Sequence, residues 1–313
     1  NKKGHELVIE FQTERSTEDE SDYASNTNTF DQSSMTDETQ QRKLLQLDYV
    51  YPIDKNTQFE LGYRGNFSDL NTDYNVLDIR NNETIRNLNL SNIFIFSQDV
   101  NAYYTQFGKK INKFSYLLGL RAETTDLQFN QKTSQESNQK KYTDLFPTVN
   151  LSYEFSNSEN ITLGYSRRIR RPRSWSLNPF QSITSLTFFR QGNPDLDPSY
   201  SNSYDLGYLK RMKKITFSGS VYFQKETDVI QRITEETGEI VRVSENPIVD
   251  VPALRFTSIN LSENIRTGTE FTLTYTPKRT IRLSGNFNIF NSETIGSYKG
   301  DSFDARILTW FAR

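Results

Sequence analysis

Five arginines stand within seven residues: Arg167, Arg168, Arg170, Arg171 and Arg173. A guanidinium is a permanent cation with a planar fork of donors, so such a cluster can grip carboxylates or phosphates through paired hydrogen bonds. The segment that follows adds Trp175, Phe180, Phe188, Phe189 and Arg190. Aromatic and arginine side chains on a loop favour ligand recognition, and the same residues can equally close the loop upon itself. The arginines have a structural alternative too, pairing with acidic residues of neighbouring segments such as Glu123, Glu154 or Asp205. A run of Glu14, Glu18, Asp19, Glu20 and Asp22 offers carboxylate oxygens to Ca²⁺, but without EF-hand spacing it reads as solvated charge. Catalysis has little to work with. His5 is the sole histidine, so there is no histidine metal cluster and no nucleophile with a histidine base. No motif surrounds any carboxylate pair, and no cofactor is implied; a non-enzymatic protein is expected.

The arginines must be carried by something regular. Ahead of them, Ile161, Leu163 and Tyr165 alternate with Thr162, Gly164 and Ser166, the period-2 pattern of a strand with one apolar and one polar face. On that pattern Arg168 and Arg170 share the polar face, while Arg167, Arg171 and Arg173 lie toward or beyond the rim. Twelve such strands of around ten residues are predicted, near 4–13, 42–51, 58–68, 99–109, 113–129, 142–155, 161–171, 200–210, 214–226, 261–275, 281–291 and 301–313. That is the length a tilted strand needs to cross a bilayer.

Composition agrees. The 313 residues have a net charge of −2, a mean hydropathy of −0.72 and only 34% hydrophobic residues, yet 13% are aromatic. So few apolar residues make a thin two-layer core, and so many aromatics argue against disorder. Strands apolar on one face only, closed into a barrel around a wet lumen, reconcile the two. The charge gives no reason to expect nucleic acid. There is no cysteine and no apolar run long enough for a membrane helix.

Short connections (52–57, 110–113, 156–160, 210–214, 276–280) alternate with long polar ones (about 14–41, 69–98, 130–141, 172–199, 227–260, 292–300). Transmembrane barrels have this asymmetry, with short periplasmic turns and long extracellular loops. Tyr49, Tyr51, Tyr63, Tyr153, Tyr208 and Tyr275 near strand ends suit an interfacial girdle. The predicted fold is an all-β antiparallel transmembrane barrel.

The run YSRRIRRPRSWSLNPF followed by GNPDLDPSYSNSYDLGY resembles the barrel of TonB-dependent outer-membrane receptors, in particular the Bacteroidota outer-membrane β-barrel family. Ser166, Arg167, Arg168, Arg171, Pro172, Leu177, Asn178, Pro179, Phe180, Gly192, Asn193, Pro194, Leu196 and Pro198 match its pattern in order and spacing. Ser199 stands where that pattern has Glu, which leaves the contact of that carboxylate open. FSYLLGLRAETT (114–125) and FPTVNLSYEF (146–155) are similar to further strands of the family. The resemblance implies a 22-strand barrel of which 1–313 is a partial, single region, with no plug domain or signal peptide in it. It also implies TonB contact through an N-terminal plug region, and location in the outer membrane of a Gram-negative bacterium. The implied task is import of a scarce solute: an iron chelate, a corrinoid, an oligosaccharide or a peptide. Rim arginines would then meet lipopolysaccharide phosphates, and lumenal ones an anionic ligand or plug carboxylates. The alternatives are a receptor-like barrel docking a SusD-like surface lipoprotein or a larger outer-membrane complex, and a secreted β-rich binding module.

Overall fold

The computed structural model describes residues 4–24, 31–80, 83–133, 135–185, 187–245, 247–261, 263–278 and 280–313. Its strands are β1 (Glu6–Ala24), β2 (Asp31–Asp54), β3 (Thr57–Arg80), β4 (Glu83–Arg86), β5 (Asn92–Ile111) and β6 (Phe114–Gln131). Next come β7 (Ser137–Ser156), β8 (Glu159–Arg170), the one-turn helix α1 (Ser174–Leu177), β9 (Gln181–Ser185), β10 (Phe188–Gln191) and β11 (Ser199–Arg211). The chain ends with β12 (Ile215–Thr227), β13 (Ile230–Glu245), β14 (Ile248–Asn260), β15 (Glu263–Lys278), β16 (Ile281–Tyr298) and β17 (Asp301–Ala312).

Two sheets result. The large one runs β1-β2-β3-β5-β6-β7-β8-β11-β12-β15-β16-β17, with β4 on the edge of β3, and its described pairings are all antiparallel. The small one runs β13-β14-β10-β9 and contains one parallel pairing, β10 with β14. The twelve strands along the large sheet are the twelve that alternation predicts.

Register explains how so polar a chain faces lipid. One row carries Leu47, Tyr63, Tyr103, Ala122 and Leu145 side by side, and another Val149, Tyr165, Tyr204 and Phe223. Directly opposed residues share a face, so these rows form one exposed apolar surface. On β6 that face reads Phe114, Tyr116, Leu118, Leu120, Ala122 and then turns polar at Thr124 and Asp126, about the rise of one bilayer crossing. The six girdle tyrosines all lie on it, five of them near the short turns, while Tyr63 joins Tyr103, Tyr165 and Tyr204 at a second level farther away. The opposite face is polar, with Glu60, Arg64, Arg121, Asn150, Thr162 and Asp205.

The short connections fall where predicted. The long ones need correction, because most are strand. Residues 14–24 and 31–41 extend β1 and β2 as a paired hairpin, whose tip at 25–30 lies outside the described residues. The 69–98 and 130–141 stretches likewise lengthen β3, β5, β6 and β7. The 292–300 stretch is ladder up to a two-residue turn, where Lys299 (φ 51°) and Gly300 (φ 95°) supply the left-handed backbone of a tight hairpin. Strands therefore run to 24 residues, well past the ten or so a membrane requires. The acidic run is part of β1, with Glu18, Glu20 and Asp22 on one face and Asp19 on the other, so it is a ladder and not a loop. Only 172–199 and 227–260 leave the ladder at length, and they build α1 and the small sheet.

Candidate functional site

β8 delivers the arginine cluster to the end of the sheet away from the short turns. Arg168 and Arg170 project on the inner, polar face as alternation predicts, since they oppose Ser201 and Ser199 across β11. Arg170 pairs with Glu226 of β12 at 3.0 Å. Arg171, expected at the rim, turns inward instead. It follows the last laddered residue of β8 and precedes Pro172, so the strand no longer dictates its direction. Its guanidinium donates to the Glu123 carboxylate and, at 2.9 and 3.1 Å, to Thr125 Oγ1, and lies 5.9 Å from the Tyr142 ring. Glu123 also accepts from Arg121, so one buried carboxylate holds two cations. Arg167 lies over the Tyr200 ring at 5.1 Å, where β7 and β8 stop pairing just above Pro147, which has no N–H to give. Arg173 is exposed, and neither its side chain nor that of Arg168 has an ion pair or hydrogen bond among the described residues, although the Arg173 carbonyl accepts from the Ser176 N–H at 2.9 Å and hydroxyl at 2.7 Å. Of the acidic partners considered in the sequence, Glu123 serves the cluster; Glu154 binds Lys110 at 2.7 Å, and Asp205 sits against Gly164.

The Leu-Asn-Pro-Phe and Gly-Asn-Pro segments are a docking device. Leu177 and Leu196 are essentially inaccessible, packed with Leu70, Phe94, Phe96, Leu127 and Phe129 on the inner face of β3, β5 and β6. Each such burial stabilises the inward fold by about 2 kcal/mol. Two backbone bonds clamp the segments to each other, Gly192 N–H to Asn178 O and Asn193 N–H to Ser176 O, both 2.7 Å. Ser199, where the resemblance has Glu, is buried; it donates to Asp228 O at 2.8 Å and accepts from the Ile230 N–H at 3.2 Å. Arg170, opposite Ser199 across the ladder, takes its carboxylate from Glu226.

Folding the loop inward leaves a cavity of about 460 Å³ between it and the inner faces of β1, β2, β3 and β5. Three of the sequence-nominated residues line it: Trp175, Phe180 and Arg190. Arg190 lies 6.0 Å from the Trp175 ring and 5.8 Å from that of Phe256, and Arg232 approaches Trp175 at 4.7 Å. Phe180 meets Tyr74 edge-on at 6.4 Å. Phe188 and Phe189 sit in β10, with Phe188 against Phe256, away from the cavity lining. The arginines of β8 and the 171–173 segment do not line it. Sequence reading took Glu20 and Asp22 for solvated charge and missed Tyr74 and Arg232; cross-strand register and the small sheet bring all four here.

The small sheet is tied down by Glu235, whose carboxylate accepts from Arg255, Tyr298 and Lys299, the last two at the β16–β17 hairpin tip. Lys299, then Tyr298, then Arg255 hold that carboxyl down to about 2 against the effect of burial. His5 is bonded to the Tyr49 hydroxyl at 2.8 Å. Among the described residues no group of His, Asp and Glu is arranged to hold a metal.

The outer membrane protein beta-barrel family matches residues 1–313, the whole stretch. The chain belongs to that family. It is an outer-membrane protein of receptor-like barrel fold. Among solved structures it is similar to the copper transporter OprC (TM-score 0.60, 11% identity, covering 94% of this chain and 44% of that one). It is also similar to the ferric citrate transporter FecA in its unliganded form (0.56, 10%, 98% and 51%). The third is the ferric yersiniabactin uptake receptor FyuA from Yersinia pestis (0.55, 10%, 97% and 46%). At these identities the likeness is one of fold, and the chain spans about half the length of those proteins. No curated protein matches.

Proposed function

We propose that residues 1–313 are a barrel region of a TonB-dependent outer-membrane receptor, of the Bacteroidota branch, that imports a scarce solute captured at its outer mouth. The observation carrying this reading is the inward-folded 171–199 segment, which makes a cavity on the lumenal face with Trp175, Phe180 and Arg190 on its wall. A merely structural barrel has no need to fill its mouth with a docked loop and leave a solute-sized space beside it. The fold shared with OprC, FecA and FyuA supports the same task. Energised transport further requires a plug region and a TonB contact elsewhere in the polypeptide, and lipopolysaccharide against the outer face. Candidate solutes are an iron chelate, a corrinoid, an oligosaccharide or a peptide.

A second reading has its own observation. The β13–β14 hairpin exposes Ile248 and Val249 beside its turn and Ile240 farther along β13, apolar surface suited to a SusD-like lipoprotein or a larger outer-membrane complex. The first measurement is the intact mass and N-terminal sequence of the native polypeptide from outer membranes. A chain much larger than 36.5 kDa with a plug ahead of Asn1 supports the importer. A chain ending near these boundaries overturns it in favour of the scaffold.

A further inference from the structure

We propose that the outer-mouth cavity binds a zwitterionic ligand of peptide class, its free amine held by Glu20 and Asp22 and its carboxylate by Arg190. The inference rests on the receptor reading and narrows its solute.

The charges around this cavity are unmatched. Elsewhere in the same mouth cations and carboxylates meet, Arg171 with Glu123, Arg170 with Glu226 and Arg255 with Glu235. Glu20, Asp22 and Arg190 line the cavity, are exposed to it, and have no ion pair among the described residues. Glu20 and Asp22 share one face of β1, about 7 Å apart along the strand. Their cross-strand neighbours Thr36 and Ser34 bring hydroxyls and no countercharge. Arg190 lies 6.0 Å from the Trp175 ring and 5.8 Å from that of Phe256, and its guanidinium has no hydrogen bond or ion pair among the described residues, so its N–H groups remain for a carboxylate. Arg232 on the Trp175 ring adds a second cation at that end.

This charge pattern discriminates among solutes. A polyanionic chelate gains at Arg190 and is repelled by the two carboxylates of β1. A neutral oligosaccharide uses the aromatic faces and leaves both charged poles without a partner. A short peptide with free ends satisfies both, and its side chains find Trp175, Phe180 and Tyr74 between them.

The test is calorimetric titration of the full-length receptor in detergent, with assembly checked by heat-modifiable migration. The probes are an equimolar tripeptide mixture with free ends, the same mixture N-acetylated or C-amidated, maltotetraose and ferric citrate. Each cap is expected to weaken binding about tenfold or more, the value of a charge-assisted contact. In a Glu20→Gln, Asp22→Asn variant the acetylation penalty disappears and the amidation penalty stays; in Arg190→Gln the reverse holds. Equal binding of capped and free peptides, capping penalties unchanged in the variants, or binding of maltotetraose or ferric citrate but no peptide overturns the proposal. So does an assembled receptor that binds no probe. Uptake of labelled tripeptide into cells separates the two claims. Binding without uptake that depends on the proton gradient sinks the importer and leaves the site, while energised import of another solute without peptide binding sinks the ligand class alone.

Discussion

At the scale of single residues, the arginine cluster is chiefly architecture. Glu123 is buried between two guanidiniums, and deleting one partner of a buried ion pair strands the others at a cost of about 3–5 kcal/mol. Glu123→Ala is therefore expected to release Arg171 and with it the docked segment that follows. The purified protein should show faster protease cleavage within 171–199 and an earlier heat-modifiable transition; unchanged cleavage would show that Leu177 and Leu196 hold the segment unaided. Gly192 offers an independent check. A Cβ there would stand 2.5 Å from the Asn178 carbonyl oxygen and 2.7 Å from its nitrogen, both backbone atoms that side-chain rotation cannot move. Gly192→Ala should undock the segment as Glu123→Ala does, whereas Gly285→Ala, whose new Cβ meets nothing nearer than 3.9 Å, should leave it protected. Ser199 shows why a motif departure is best read in space, since its buried hydroxyl ties β11 to the start of β13 through the Asp228 carbonyl and the Ile230 N–H.

At the scale of elements, the small sheet is locked to the β16–β17 hairpin through Glu235. Its carboxyl titrates near 2 in the folded protein, below the ordinary 4.5, so the charged form is favoured by folding. That contribution is complete above about pH 4.5 and is lost as the pH falls through about 2. Spin labels at Glu236 and Ser302 should keep one distance distribution from pH 7 to pH 4 and broaden toward pH 2. In Glu235→Gln the broadening should be present at neutral pH; a narrow distribution there would mean the β13–β14 ladder positions the sheet alone. The strands were legible in the sequence wherever one face meets lipid, because the contrast between Leu163 and Thr162 marks both the element and its direction. Above the membrane both faces of β1 and β2 meet water, the contrast vanishes, and residues 14–24 and 31–41 read as loop although they pair without a break. The small sheet was illegible for another reason. Its parallel register joins Phe188–Arg190 to Leu254–Phe256, partners distant in sequence that no local pattern links. The same distance hid half of the candidate site: Trp175, Phe180 and Arg190 announce themselves by type, but Glu20 and Asp22 reach them only through the docked segment.

At the scale of the whole molecule, the decisive feature is that the large sheet has two ends. β1 and β17 terminate its order, and both expose apolar side chains on each face, Leu7, Val8 and Ile9 on one and Ile307, Leu308, Trp310 and Phe311 on the other. Backbone groups along such an edge cannot stay unpaired in hydrocarbon, at several kcal/mol each, so each edge must find a strand. Either β1 meets β17 and twelve strands close a small pore, or further strands of the polypeptide lie between them and complete a larger barrel, as the receptor reading requires. Paired neighbours in a ladder bring Cβ atoms within about 5 Å, close enough for a disulfide, whereas even one intervening strand separates them to about 10 Å. The 313 residues contain no cysteine, so introduced pairs report cleanly. Val8→Cys combined in turn with Ala305→Cys, Ile307→Cys or Thr309→Cys is expected to stay reduced in oxidised outer membranes. Val8→Cys with Asp48→Cys, opposed across β1 and β2, is expected to cross-link. A disulfide in the first set would close the barrel at twelve strands and leave no room in the lumen for a plug, and energised import would fall with it.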